Sequence, residues 1–343
     1  MSTIFSIGLG VGTQNASGNW LEVYYPEPLL RPDSSIGDVL AAELQLDSGN
    51  QVIQLNDDQL AQLAKALENI EARQAALAKA LIGSSRPAVI ALIEQDTELG
   101  SVPEAYLKLH LISHRLVKPH DLNLAGIFAI LPNVAWTNEG AIDLNELPKR
   151  QFSARIQGNL LSVDCIDKFP KMTDYVVPAG VRIADTARVR LGAYIGEGTT
   201  IMHEGFVNFN AGTEGPNMIE GRVSAGVFIG AGSDLGGGCS TMGTLSGGGN
   251  IVISVGKDCL IGANAGIGIP LGDRCTVEAG LYITAGTKVV MLDENRAPIG
   301  ECKARALAGK PDILFRRNSL SGAIECLTND SAVVLNETLH SNN

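Results

Sequence analysis

Aromatic side chains are scarce in this sequence: they make up 5% of its 343 residues, against 39 glycines. A core of large rings is therefore excluded, and small and β-branched side chains must fill the interior. Basic charge is also short. Lys and Arg number 26 against 37 Asp and Glu, a formal net charge of -11. That balance disfavours nucleic acid or an anionic membrane as partner, because both are bound by basic surfaces. No apolar run approaches the roughly 18 residues of a membrane span. The start, MSTIFSIGLGVGTQNASG, has no basic segment before its apolar residues, so no secretory signal is expected. The six cysteines (Cys165, Cys239, Cys259, Cys275, Cys302 and Cys326) include no CxxC pair. In a chain of this size they read as reduced thiols packed as small hydrophobes. The expectation is a cytoplasmic, acidic, soluble protein of two or three structural units.

What is present falls into three territories. Residues 1–170 read as a mixed α/β domain. Trp20 to Tyr25 follow the turn-prone Asn15, Ala16, Ser17, Gly18 and Asn19, which predicts an early hairpin. Over 57–83, Leu60, Leu63, Leu67, Ile70, Leu77 and Leu81 fall near helical spacing, with Asp57 or Asp58 as N-cap and Gly83 as stop. A second helix is expected over 104–117. Its His110 and His114 stand four apart, but no HExxH context accompanies them, so packing or surface roles are favoured over a metal. The glycines of GLGVG (8–12) lack the lysine and preceding strand of a nucleotide loop.

Residues 171–291 are different. Val177, Ile183, Val189, Ile195, Ile201 and Val207 recur six apart, and the beat returns at Val223, Ile229 and Leu235, then at Val255 and Ile261. After a four-residue slip it resumes at Leu271, Val277, Ile283 and Val289. A period of six suits neither an amphipathic helix nor an alternating strand. It suits a coil with three flat sides, one hexad per side, whose aliphatic residues point to the axis. Stacked at about 4.8 Å per coil, such strands form a parallel β-helix, left-handed in the hexapeptide-repeat class. Residues 292–343 form a short C-terminal segment, polar after about 328.

The beat fails twice, over 213–222 and 242–250. A prism has flat walls and no pocket, so both breaks are expected to leave the coil as loops, the first carrying the chemistry. Only His203 lies in the repeats, which is too few histidines for a zinc hydratase. Acyl transfer from a coenzyme A thioester remains. It asks for a base, donors facing the thioester oxygen, and cations for phosphates.

The runs EGFVNFNAG (204–212), EGRVSAG (220–226), DLGGG (234–238), GTLSGGG (243–249) and RRNS (316–319), with GVGTQN (10–15) more loosely, resemble the tetrahydrodipicolinate N-succinyltransferases. The likeness is to the longer form found in actinobacteria and pseudomonads. It implies a homotrimer with sites between neighbouring prisms. It also implies succinyl transfer from succinyl-CoA to the amino group of ring-opened tetrahydrodipicolinate, a dicarboxylic amino acid on the route to lysine and diaminopimelate. By matching motifs, Glu220 takes the place of the catalytic carboxylate, as base or as acyl anhydride, with the base favoured. Arg222, Gly237, Ser240, Ala263, Glu278, Ala279, Gly286, Lys303, Arg316, Arg317, Asn318 and Ser319 take acyl-CoA-binding positions. Glu204 takes a position that can hold magnesium on the trimer axis, while Ala187 stands where some relatives have a second axial acid. An acetyl-CoA-dependent transferase on the same amine and a non-catalytic trimeric scaffold are the competing readings.

Overall fold

The structure, a computed structural model, describes residues 4–243 and 251–328. The chain divides into two compact units. The first comprises the described residues up to 111 with 121–170 and 174–176, and the second comprises 112–120, 171–173 and the described residues from 177 onward. Among the described residues no helix is long and apolar enough to cross a membrane.

In the first unit a sheet runs in the order Trp20–Tyr24, Ser6–Gln14, Ala88–Ile93, Gln51–Leu55, with antiparallel neighbours throughout. The expected hairpin is present. The side-chain oxygen of Asn15 accepts from the Ser17 and Asn19 amides at 3.1 and 2.9 Å, which closes its turn. The early glycines have a packing role: a Cβ on Gly10 would lie 2.0 Å from the Tyr24 carbonyl oxygen, and one on Gly12 2.4 Å from that of Glu22. Two strand backbones approach where no side chain fits.

The run 57–83 is two helices, Asp57–Leu67 and Ala72–Leu81, not one. The cap is Asn56, which exchanges bonds with Gln59 in a capping box and leaves Asp57 and Asp58 in the first turn. Leu60, Leu63, Leu67, Ala78 and Leu81 still reach one core, with Ile7, Leu9 and Ile90 of the sheet. The apolar stripe thus bridges a break that leaves Ile70 42% exposed. The next helix is Val102–Ser113; it stops short of 117 because Arg115 is in the left-handed region (φ 62°). His110 is fully buried, with Nδ1 2.7 Å from the Tyr106 carbonyl and Nε2 accepting from the Tyr25 amide at 3.3 Å. Both ring nitrogens are committed, so His110 binds no metal.

The second unit contains the three-sided coil, a left-handed β-helix. Its first wall stacks Ala193–Ile195, Ala211–Thr213, Phe228–Ile229 and Ser254–Val255 in parallel. The second wall runs from Arg182–Ile183 through Thr199–Ile201, Asn217–Ile219, Asp234–Leu235, Leu260–Ile261 and Thr276–Val277 to Ile313–Arg317. The third stacks Phe206–Val207, Arg222–Val223, Ser240–Thr241, Gly266–Gly268 and Tyr282–Thr284. The hexad residues point to the axis: Ile195, Ile201, Val207, Ile219, Val223, Ile261, Val277 and Ile283 are all fully buried. Val177 is not part of this ladder, since it stands 74% exposed.

The first break is not an exit loop. Thr213 and Ile219 are fully buried axial residues that keep the beat, and Thr213 satisfies its hydroxyl on that of Thr199 at 2.9 Å. The step is lost only at the corner from Ile219 to Val223, which spans four positions where six are usual. This corner has two residues fewer; nothing is inserted. The slip from Ile267 to Leu271 is a second corner of the same kind. At the other break, Phe228 pairs with Ser254, so the coil takes in extra chain; residues 244–250, which include most of the GTLSGGG run, lie outside the described residues.

Candidate active site

The edge between the second and third walls is a stack of corners. Met202 to Gly205, Glu220 and Gly221, Gly236 to Cys239, Gly262 to Ala265, and Glu278 to Leu281 succeed one another along it. Each corner begins by donating an amide to the carbonyl of a buried axial residue in the next coil. Met202 bonds Ile219 at 2.9 Å, Glu220 bonds Leu235, Gly236 bonds Ile261 and Gly262 bonds Val277, each at 2.8 Å, and Glu278 bonds Phe315 at 2.9 Å. Four of these corners hold four residues; the Glu220 corner holds two. The Glu220 corner is the short one between longer neighbours, and Glu220 is half-buried on it.

Close packing surrounds this corner. A Cβ on Gly221 would fall 2.3 Å from Cys239 Sγ, one on Gly236 2.8 Å from the Ala263 nitrogen, and one on Gly262 2.5 Å from the Ala279 nitrogen. Burial raises the Cys239 thiol to about 12, with Glu220 adding to the rise and Arg222 opposing it. That thiol stays protonated and is no nucleophile. Gly237 faces the carboxylate: a side chain there would start 3.4 Å from Glu220 Oε2. The Gly237 amide makes no hydrogen bond among the described residues, whereas its carbonyl accepts from Asn264 at 2.9 Å.

The candidate positions fall into two strips. Glu220, Gly237, Ala263, Glu278, Ala279 and the hairpin of Arg316, Arg317, Asn318 and Ser319 follow the edge just described. Arg222 and Ser240 start adjacent strands of the third wall, where Arg222 donates to Ser240 Oγ at 2.8 Å and makes no ion pair among the described residues. Gly286 and Lys303 lie apart from that edge, where the chain leaves the third wall; Thr287 accepts from the Ala304 amide at 2.8 Å.

Within the hairpin the four residues differ. Glu278 Oε2 accepts the Arg317 amide at 2.7 Å and anchors the hairpin to the coil. The Arg317 guanidinium is exposed, with one weak 3.5 Å contact to the Gly322 carbonyl. Arg316 is instead committed to Glu325, as is the side-chain amide of Asn318. Asn318 Oδ1 accepts from the Leu320 and Ser321 amides, each at 3.0 Å, and shapes the turn. Glu325 escaped the motif reading because its partners are set by strand pairing, Arg316 opposite Glu325, and no spacing rule reveals that.

Glu204 is exposed on the same edge, one coil before Glu220, with Oε1 3.1 Å from His203 Nδ1. His203 stands exposed on that neighbouring corner with Glu204, whereas Glu220 is half-buried. A magnesium ion asks for six oxygen ligands. One chain supplies a single carboxylate here, Ala187 adds none, and among the described residues no cluster of three or more His, Cys, Asp or Glu could hold a metal. The residues of one chain do not fit the ion.

Two family models match the sequence: "Tetrahydrodipicolinate N-succinyltransferase middle" over residues 131–171 and "Hexapeptide repeat of succinyl-transferase" over 252–285. The chain is 68% identical over 342 residues to the 2,3,4,5-tetrahydropyridine-2,6-dicarboxylate N-succinyltransferase of Pseudomonas putida, covering 100% of this chain and 99% of the relative. It is 57% identical over 340 residues to the Vibrio cholerae protein of the same name, covering 99% of each. A solved Campylobacter jejuni structure, described as a 2,3,4,5-tetrahydropyridine-2-carboxylate N-succinyltransferase, matches with a TM-score of 0.90 at 31% identity, over 97% of this chain and 94% of that one.

Proposed function

Since the chain belongs to the 2,3,4,5-tetrahydropyridine-2,6-dicarboxylate N-succinyltransferase family, we infer that it moves a succinyl group from succinyl-CoA to the amino group of ring-opened tetrahydrodipicolinate. This is a step of lysine and diaminopimelate biosynthesis. The amine nitrogen attacks the thioester carbon, a C–N bond forms, and the C–S bond breaks to release CoA. Nitrogen must lose a proton as it adds, and sulfur must gain one as it leaves. Glu220 is assigned both transfers. Its carboxylate takes the proton from nitrogen and returns it to the departing sulfur. A thioester is already activated, so a mixed anhydride on Glu220 would add a step without lowering the first barrier.

The observation that carries this reading is the pairing of Glu220 with Gly237. A half-buried carboxylate lies on a shortened corner, and an uncommitted amide lies on the next corner beside it. An amide N–H aimed at the thioester oxygen stabilises the charge that develops there. Arg222, held by Ser240 and without a carboxylate partner among the described residues, suits the free carboxylate of the succinyl group. Ala263, Ala279 and Gly237 leave the edge low enough for a pantetheine arm.

The two strips support a site built by two chains, one giving the edge with Glu220, the other the third wall with Arg222 and Ser240 and the turn beyond it with Gly286 and Lys303. A homotrimer of prisms supplies three such clefts. A magnesium ion at Glu204 would need carboxylates from all three chains, and no step above uses it.

The test is consumption of succinyl-CoA with tetrahydrodipicolinate, followed by chromatography, with acetyl-CoA run in parallel. Acceptor-dependent loss of succinyl-CoA alone is expected. Loss of acetyl-CoA would overturn the donor, and loss of neither in a folded trimer would return the scaffold reading.

A further inference from the structure

Strand Lys288–Leu292 pairs antiparallel with Pro298–Lys303, and the register sets Lys288 directly opposite Lys303. Both side chains are exposed. Residues so opposed have Cβ atoms about 4.5–5.5 Å apart, and like charges there destabilise the sheet. Among the described residues no ion pair relieves them, and Glu325, opposite Val290 on the neighbouring strand, is committed to Arg316 and Asn318. Glu301 lies on the same face opposite Val290, yet among the described residues neither lysine nor Glu301 forms an ion pair. Arg305 brings a third cation to the same turn. Its amide and Nε reach the Ala285 carbonyl at 3.2 and 3.3 Å, which fixes the guanidinium without neutralising it. Gly286 stands at the tip, with no atom within 4 Å of where a side chain would begin. Among the described residues these three cations have no ion-pair partner, although the chain carries a net charge of -11.

We propose that Lys288 and Arg305 join Lys303 in an anion cradle for the phosphates of the acyl-CoA, an assignment that rests on the acyl-CoA reading above. Like charges set face to face are tolerated when an anion binds between them, and a phosphate accepts from several cations at once. The open tip at Gly286 gives it room. Neither Lys288 nor Arg305 belongs to the motif positions.

The test compares KM for succinyl-CoA, succinyl-dephospho-CoA and succinyl-pantetheine, the last having no phosphate, in the wild type, Lys288→Ala and Arg305→Ala. In each variant the ratio of KM for succinyl-CoA to KM for succinyl-pantetheine is expected to rise about five- to tenfold. A role in shaping the turn would raise both values together and leave the ratio unchanged, which would overturn the proposal, as would an unchanged KM for succinyl-CoA. The dephospho thioester identifies the phosphate held. If it keeps the effect, the cradle binds the diphosphate; if it loses it, the cradle binds the 3′-phosphate. Melting without ligand gives an independent arm: Lys288→Ala relieves repulsion and is expected to melt no lower than wild type, and a clear loss of stability would contradict the opposed-charge argument. Failure of the wild type to consume succinyl-CoA would instead remove the reading beneath it.

Discussion

Glu325 holds Arg316 on one carboxylate oxygen, 3.0 Å from Nε and 2.9 Å from the terminal nitrogen, and takes Asn318 on its other oxygen at 2.8 Å. Arg316 is therefore spent on structure, and Arg317 is left as the guanidinium of the hairpin that is free for a ligand. The bond from Asn318, aided by Arg316 against the opposing effect of burial, holds the Glu325 carboxyl below its ordinary range.

A pH dependence follows from that shift. A depressed folded-state pKa gives stability that is present above the unfolded value, about 4.3, and lost as pH falls through the folded value. Glu325→Gln is expected to lower stability by about 1–2 kcal/mol at neutral pH. The gap in melting temperature between variant and wild type should close on acidification below about pH 4. A gap that stays constant down to pH 3 would show that charge at Glu325 contributes nothing.

Gly221 and Cys239 test the packing behind the short corner. Gly221→Ala places a methyl group 2.3 Å from Cys239 Sγ and 2.7 Å from its carbonyl oxygen, and overpacking of this kind costs about 1–3 kcal/mol. Adding Cys239→Ala removes the sulfur but not the carbonyl, so thermal melting of the double variant should recover only part of the loss. Full recovery would place the whole clash on sulfur.

The short corner itself can be altered. Inserting two residues between Glu220 and Gly221 restores the six-residue step. Corners accept added chain, so melting should fall by less than about 4 °C. Turnover should drop at least about a hundredfold, because the carboxylate loses its position. Retained turnover would mean that the shortening does not position Glu220.

These relationships differ in how far the sequence reveals them. Ile183, Val189, Ile195, Ile201 and Val207 advertise the coil because aliphatic side chains mark each axial position. Thr213 hid the next one. Its hydroxyl breaks the apolar pattern although Thr199 satisfies it, so a coil missing two residues read as a loop leaving the coil. The helix break at 68–71 was masked in the same way, since Leu67 and Ala78 keep one apolar stripe across two helices. The motif residues carried Glu220 and the hairpin. The partners that organise them, Glu325 for Arg316 and Lys288 for Lys303, follow from strand register between distant segments, which no local spacing encodes.

The central claim is that Glu220 carries the proton, and Glu220→Gln tests it most directly. Equilibrium binding of CoA should match the wild type, while steady-state turnover of succinyl-CoA with tetrahydrodipicolinate should fall about 10²- to 10⁴-fold. Turnover within a few-fold of wild type, in a variant that binds CoA normally, would contradict the account and leave the short corner without a catalytic group.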